Sequence, residues 1–492
     1  MTRDPAPPDT AEREARPCFH LTPPANWMND PNGPFFHEGR LHVFYQHNPV
    51  APHWDRVHWG HAVTSDFVTW EHRPVAISPD PDGPDAFGCW SGCVVDDDGG
   101  PTMLYTGVVQ DGQLRRASIC LARSSDGLET WVKDPGNPVI PGAPAGIAAD
   151  SFRDPFVWKD DEGWAMLVGA GTIDGAGVVL IYRSSDLRTW TLGGRFLSAS
   201  DLPDSRYAGG PCWECPQLLR FGERALLILS ITNPAPGSRP SHVIAISGRI
   251  EDDRFLPEHL VRLDGGPDYY APAAVIAPDG RHLLLGWIPE DPPEEASSRD
   301  WAGALTLPRV VSLRPEGGLT QVPAEELARL RSSRRHLLEA APRTPFQVPV
   351  SDHFELLASF TSVGESTVGI AIFDDDGPEP EARIAFRPGQ RCVSVTRRGT
   401  VEVGGPDESN VMIIPPDEPS VLDLRVIVDG SVMEVFADGR TAATFRLPSI
   451  HRGLRRVATF SEGAADRLVC LEIWSLDPRR LNALRAESCP MG

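Results

Sequence analysis

Short apolar runs bounded by Gly, Pro or Asp recur along the first two-thirds of the chain: LHVFYQ (41–46), TMLYTGVV (102–109), WAMLVGA (164–170), ALLILSIT (225–232) and HLLLGWI (282–288). Their length and their β-branched and aromatic content predict buried strands. One segment follows a different period. PAEELARLRSSRRHLLEA (323–340) spaces its apolar residues three or four apart with charges between, which predicts a connecting helix over 323–341. Alternating runs then resume at 354–360, 368–373, 382–386, 391–395, 421–428, 432–437 and 467–474, separated by turn signals such as Asp429-Gly430 and Asp438-Gly439. That alternation predicts an antiparallel β-sandwich over 342–480. Residues 1–17 and 481–492 have no such pattern and read as tails, the first of them disordered.

A repeat organises the first part. TSDFVTW (64–70), SSDGLETW (124–131) and SSDLRTW (184–190) end on Trp70, Trp131 and Trp190, which are 61 and 59 residues apart. A period of about 60 residues accommodates one four-stranded blade with its loops. Residues 18–322 would then hold five blades, giving an all-β chain: a five-bladed β-propeller followed by a C-terminal β-sandwich.

Composition narrows the function. At 492 residues the chain is too long for one ordinary core, and 45 Gly and 49 Pro without a short period fit turn-dense all-β domains. A formal charge of −22 repels phosphate backbones and anionic headgroups, so neither nucleic acid nor membrane is an expected partner, whereas a neutral carbohydrate is. The N-terminal residues carry no apolar signal-like region, and no run of about 18 apolar residues occurs. Nine cysteines at irregular spacings do not form a disulfide framework, and the expected location is the reducing cytoplasm.

Three segments combine a carboxylate with rigidifying neighbours: Trp27-Met28-Asn29-Asp30-Pro31-Asn32-Gly33, Arg153-Asp154-Pro155 and Trp213-Glu214-Cys215-Pro216. Singly, each also reads as turn chemistry or a local ion pair. Glu214, between Trp213 and Cys215, lies in apolar company and so needs a partner or a raised pKa. The repeat phase joins the three. Asp30 lies 36 residues before Asp66, Ser91 35 before Asp126 and Asp154 32 before Asp186; Glu214 follows Asp154 by 60 residues and Tyr270 follows Glu214 by 56. Residues in one phase of a propeller share one radial layer, and on the innermost strand they converge on the axial pocket. Trp27, Trp54, Trp90 and Trp287 would give that pocket apolar faces, and Asn29, Gln46, Ser91 and Arg153 hydrogen bonds.

Cys89, Cys93, Cys212 and Cys215 can be written as zinc ligands, but blade phase separates the pairs, and no metal or cofactor is expected. The histidines at 37, 42, 47, 53, 58 and 61 lack a metal-ligating spacing and read as solvated or structural.

WMNDPNG (27–33), FYQHNP (44–49), HWGHAVTSDFVTW (58–70), WSG (90–92), FRDP (152–155), WECP (213–216), DYYAP (268–272), GW (286–287), WAGALTLPR (301–309) and VDGSVMEVF (428–436) follow one another in an order that resembles glycoside hydrolase family 32, the invertases and fructanases, across about residues 18–475. The resemblance implies a retaining exo-hydrolase that removes terminal β-fructofuranosyl units from sucrose or from fructans such as inulin and levan. It implies Asp30 as nucleophile, Glu214 as general acid/base and Asp154 as transition-state stabiliser, with Asn29, Gln46, Trp54, Trp90, Ser91 and Arg153 shaping the fructose pocket. Cys93 and Gln217 replace a Ser and an Asp usual in that family and bear on leaving-group preference. A fructosyltransferase and a non-catalytic sugar-binding protein are the alternatives on the same scaffold.

Overall fold

The structure, a computed structural model, describes residues 16–481 apart from 98, 208, 234–240, 291–298, 341–346, 362–365, 375–376, 399–410, 414–420, 448–453, 463–466 and 479. The expected tails fall almost wholly outside the described residues. The chain divides into two compact units, one of Pro23–Leu263 and Tyr269–Leu319, the other of Met1–Thr22, Asp264–Asp268 and Thr320–Gly492.

The first unit is a five-bladed propeller. Its blades open on the strands Asn26–His37, Gly88–Asp97, Ile147–Asp160, Trp213–Phe221 and Tyr270–Ile276, and each continues outward through antiparallel neighbours. These five opening strands pack against one another in cyclic order, the fifth returning to the first. Parallel pairing of Trp301–Ala302 with Asn26 and Trp27 stitches the ring shut. Gly303 sits at φ +84°, where a Cβ would run into the Met28 carbonyl oxygen, so this seam requires glycine.

Apolar faces are buried between blades. Leu104, Ile119 and Leu121 of blade 2 meet Phe152, Met166 and Val168 of blade 3, and Leu167, Val179 and Ile181 of blade 3 meet Leu227, Leu229 and Ile244 of blade 4. The repeated Ser/Thr-x-Asp segments prove to be turn devices. Asp66 Oδ1 accepts from the N–H groups of Val68 and Thr69, and Asp186 Oδ1 from those of Arg188 and Thr189. The 60-residue period is therefore the period of one turn leading to each outer strand.

The second unit is a sandwich of two six-stranded sheets. One orders its strands Arg331–Ala340, Arg467–Leu476, His353–Thr361, Val421–Asp429, Val432–Ala437 and Thr441–Arg446; the other Gln347–Val350, Arg455–Ser461, Val368–Phe373, Ala382–Arg387, Cys392–Arg397 and Val411–Ile413. Phe354, Leu356, Ile370, Ile384, Val426 and Val435 belong to the core they share.

Two expectations are corrected. The helix over 323–341 is absent: Glu325–Leu330 forms a 3-10 helix and Arg331–Ala340 an edge strand paired antiparallel with Arg467–Leu476. Long-range bonds hold the extended backbone, since Arg331 forks onto Glu355 at 2.6 and 2.8 Å and stacks on Trp474 at 4.1 Å. Sheet pairing and ion pairs here override a three-to-four spacing. The propeller is also not continuous over 18–322. Asp429 accepts hydrogen bonds from the backbone N–H groups of Cys18, Phe19 and His20, and Asp264 from Thr444, so both short segments belong to the sandwich unit.

Candidate active site

Each opening strand breaks register, and one break in each falls at or beside a residue singled out by phase. The breaks bracket Asn29 and Asp30 in blade 1, Ser91 in blade 2, Asp154 and Pro155 in blade 3, Cys215 and Pro216 just after Glu214 in blade 4, and Ala271 and Pro272 just after Tyr270 in blade 5. Pro31, Pro155, Pro216 and Pro272 lack the N–H a ladder would use, which confines them to such positions. Asp154 (φ 61°), Cys215 (48°) and Ala271 (44°) take up the left-handed conformation. A bulge bends its strand and re-aims a side chain, and strained backbone of this kind gathers at functional sites.

The bulges bring the carboxylates into one network. Asp30 accepts from Ser91 Oγ at 2.8 Å, Asn29 Nδ2 at 3.0 Å and Gln46 Nε2 at 3.4 Å, and Gln46 also bonds Ser91. Trp27 Nε1 donates to Asn29 Oδ1 at 2.7 Å and fixes that amide. Glu214 accepts from Arg153 Nη1 at 3.1 Å and from the Tyr270 hydroxyl at 2.7 Å. Asp154 Oδ2 accepts from the Cys215 N–H at 3.0 Å, and the Cys215 thiol lies 3.5 Å from that oxygen and 3.7 Å from Asp30 Oδ2. Around them, Trp54 meets Trp90 edge-on at 5.8 Å, Trp27 meets Trp287 at 5.9 Å, and the Arg153 guanidinium lies over Trp90 at 5.1 Å. All twelve residues expected in the site thus join one connected group. The indole N–H groups of Trp90 and Trp287 are buried with no partner among the described residues.

Burial raises the Asp30 carboxyl to about 6, partly opposed by the Ser91 and Asn29 hydrogen bonds, and the Glu214 charge raises it further. Asp154 rises to about 7, through burial first and then the charge of Glu214, with Arg153 opposing. Arg153 is held protonated, since the surrounding negative charge outweighs its burial. A proton is therefore retained among these clustered carboxyls to near neutral pH, and its titration belongs to the group.

The surroundings of Glu214 differ from the expectation. Trp213 packs into the core between blades 3 and 4 and Cys215 turns its thiol to Asp154 and Asp30, while the Glu214 carboxylate meets a guanidinium and a phenol. Cys215 and Thr106 are site residues that sequence reasoning missed; Thr106 Oγ1 accepts from the Asp154 N–H at 2.8 Å. Cys215 could have been found from its place directly behind Glu214 on the bulge, whereas Thr106 lies on a second strand and carries no such signal.

The four cysteines weighed as zinc ligands face different neighbours. Cys89 turns to Asp85, Cys93 packs between blades 2 and 3, Cys212 turns to the Trp213 carbonyl and Cys215 to the carboxylates. Gln217 bonds the Ala274 N–H at 2.9 Å and ties blade 4 to blade 5. The side chains of Cys93 and Gln217 thus take part in contacts between blades. His42 and His61 lie 3.0 Å apart with His61 stacked on Phe44, and burial lowers them to about 4 and about 3, which makes them structural.

Comparison with known proteins agrees with this architecture. The model of the glycosyl hydrolases family 32 N-terminal domain matches residues 20–323, and that of the family 32 C terminal matches residues 326–475. The sucrose-6-phosphate hydrolase of Escherichia coli is 34% identical over 457 residues, 88% of this chain and 89% of that one. The raffinose invertase of Escherichia coli is 33% identical over 461 residues, again 88% and 89% of the two chains. A mutant of the Bombyx mori β-fructofuranosidase, solved in complex with sucrose, superposes with a TM-score of 0.79 at 27% identity, covering 94% of each chain. With both of its units matched in order by family models, the chain belongs to glycosyl hydrolase family 32.

Proposed function

We propose that the chain is a β-fructofuranosidase that releases terminal fructose by double displacement, with Asp30 as nucleophile, Glu214 as general acid/base and Asp154 holding fructose hydroxyls. The observation that carries the reading is the set of five bulges, which direct three carboxyls into one buried network whose neutral donors, Ser91, Asn29 and Gln46, all serve Asp30. Those donors orient an attacking oxygen without the strong charge neutralisation that an arginine would impose. Glu214, held by Arg153 and Tyr270, is positioned to protonate the departing oxygen and then to activate water against the fructosyl-enzyme. Asp154, with its backbone locked at positive φ, offers a fixed acceptor for sugar hydroxyls as charge develops on the ring.

The relatives' names support sucrose-type substrates, in both phosphorylated and free forms. A cytoplasmic, reducing setting is supported by the eight described cysteines, none of them bridged. The test is product analysis: sucrose should yield fructose and glucose, with the fructose first released as the β-anomer by NMR. Initial release of the α-anomer would overturn double displacement.

A further inference from the structure

We propose that Cys18, His353 and Asp429 form a reactive thiol centre in the sandwich unit, at which the Cys18 sulfur exchanges with small disulfides and carries the resulting mixed disulfide. Cys18 Sγ lies 3.6 Å from His353 Nε2, and His353 Nδ1 lies 2.7 Å from Asp429 Oδ1. His353 and Asp429 stand directly opposite each other on the paired strands His353–Thr361 and Val421–Asp429, so the ladder sets the imidazole. The same Asp429 oxygen accepts from the Cys18 N–H at 2.8 Å and thereby seats the thiol. Phe19 packs edge-on against the His353 ring at 5.6 Å. A nucleophile, a base in contact with it and a carboxylate that orients the base are the parts of an activated thiol.

Asp429 orients rather than ligates. Its Oδ1 accepts from Cys18 N and His353 Nδ1, and its Oδ2 from the N–H groups of Phe19 and His20 and from His20 Nδ1, which leaves no lone pair for a metal ion. His20 in turn reaches Glu434 at 3.1 Å, so the second buried carboxylate is paired as well. With Nδ1 turned to Asp429, the Nε2 edge of His353 faces the sulfur. Burial opposes charge on this ring, but its hydrogen bonds to Asp429 and Cys18 prevail and push it up to about 10. An imidazolium beside a sulfur favours the thiolate, the form that attacks. Of the eight described cysteines Cys18 is the exposed one, whereas burial raises the Cys93, Cys120 and Cys212 thiols to about 12 and keeps them inert. In the exchange the Cys18 sulfur attacks one sulfur of the small disulfide, and a new S–S bond forms as the old one breaks. The departing half leaves as a thiol with the proton of the Cys18–His353 pair; Cys18 is oxidised, that half is reduced, and a free thiol reverses the step.

The experiment treats the full chain with hydroxyethyl disulfide at neutral pH and follows adduct formation at each cysteine by peptide mass spectrometry, with Cys18→Ser as the blank. Cys18 should react about 10-fold faster in the native chain than in the same chain unfolded in urea, because folding supplies the imidazolium, whereas folding only shields an ordinary thiol. His353→Gln should slow Cys18 by about 10-fold while the buried Cys392 stays as slow as in the wild type. The direction separates activation from packing, since loosening of residues 16–22 would expose Cys18 further and speed its reaction. Where Cys392 of His353→Gln reacts as fast as in urea, that variant has unfolded, and the native-to-urea ratio of the wild type decides alone. A native Cys18 no faster than its urea-unfolded counterpart, or an unchanged Cys18 rate in folded His353→Gln, would overturn the proposal.

Discussion

The Tyr270 hydroxyl donates to Glu214 Oε2 at 2.7 Å, tying the first strand of blade 5 to that of blade 4 at the carboxylate assigned to proton transfer. Tyr270→Phe removes this bond and little volume. It should lower kcat by about 10–100-fold, the worth of one charge-assisted hydrogen bond, with a smaller change in KM. Steady-state kinetics on sucrose provide the check, and an equal loss in KM alone would assign Tyr270 to binding.

Asp30→Ala and Glu214→Ala should fail differently. Without a nucleophile, Asp30→Ala should be nearly inactive on every fructoside. Glu214→Ala loses proton transfer, worth about 10²–10⁴-fold, and an activated aryl fructoside should restore its first step. Recovery of Asp30→Ala but not Glu214→Ala on that substrate would exchange the two roles.

Ser91→Ala should move the acid limb of activity to higher pH. Burial holds Asp30 at about 6 against the opposing Ser91 hydrogen bond, and a nucleophile must be ionised. Removing Ser91 lets Asp30 keep its proton to higher pH, so kcat/KM at pH 5 should fall more than at pH 8. A uniform loss across the profile would contradict this.

Asp154→Asn should slow all fructosides alike yet stabilise the fold at alkaline pH. Asp154 is raised to about 7 in the folded state against about 3.9 unfolded, so the folded protein binds the extra proton and its stability falls as pH rises between those values. The substitution removes that fall. Urea midpoints of variant and wild type should differ little at pH 4 and diverge by pH 8, by a few kcal/mol at most at ~1.4 kcal/mol per pKa unit.

Asp429→Asn should destabilise the sandwich by about 3–5 kcal/mol, since it strips a buried carboxylate from His20 at 2.8 Å and His353 at 2.7 Å. Burial opposes protonation of His353, but its bond to Asp429 prevails and pushes it up to about 10, while the histidines hold Asp429 far below the carboxylate range. The histidine contribution is complete below about 6.5 and is lost through about 10; the aspartate contribution is complete above about 3.9 and is lost on acidification. The variant's deficit should thus be largest at about pH 4–6.5 and shrink at pH 10. A deficit independent of pH would remove the ionic account.

The site was legible in the sequence because blade spacing places Asp30, Ser91, Asp154, Glu214 and Tyr270 at corresponding bulges, and the prolines behind four of them mark where each ladder breaks. Other features were hidden for physical reasons. The 331–340 segment carries a three-to-four spacing that only its pairing and the Arg331–Glu355 fork override. The surroundings of Glu214 cannot be read from Trp213 and Cys215, because Trp213 turns into the core and the bulge turns the Cys215 thiol to the other two carboxyls. The assignment of residues 16–22 to the sandwich depends on distant groups, the Asp429 carboxylate foremost with Glu434 and His353, that leave no periodic trace. Cys18 looks like an isolated thiol until Asp429 seats it beside His353.

That distant carboxylate also sets an order of events during synthesis. Phe19 leaves the ribosome well before Asp429, since the oxygen that receives its N–H is encoded 410 residues later. At about 5–20 residues per second, the segment waits roughly 20–80 s before its partner exists. Throughout that interval Phe19, which ends 2% exposed, has no finished sandwich to enter. Residues 16–22 are thus made long before they can be seated, and protease accessibility there on stalled nascent chains would report when Asp429 has joined them.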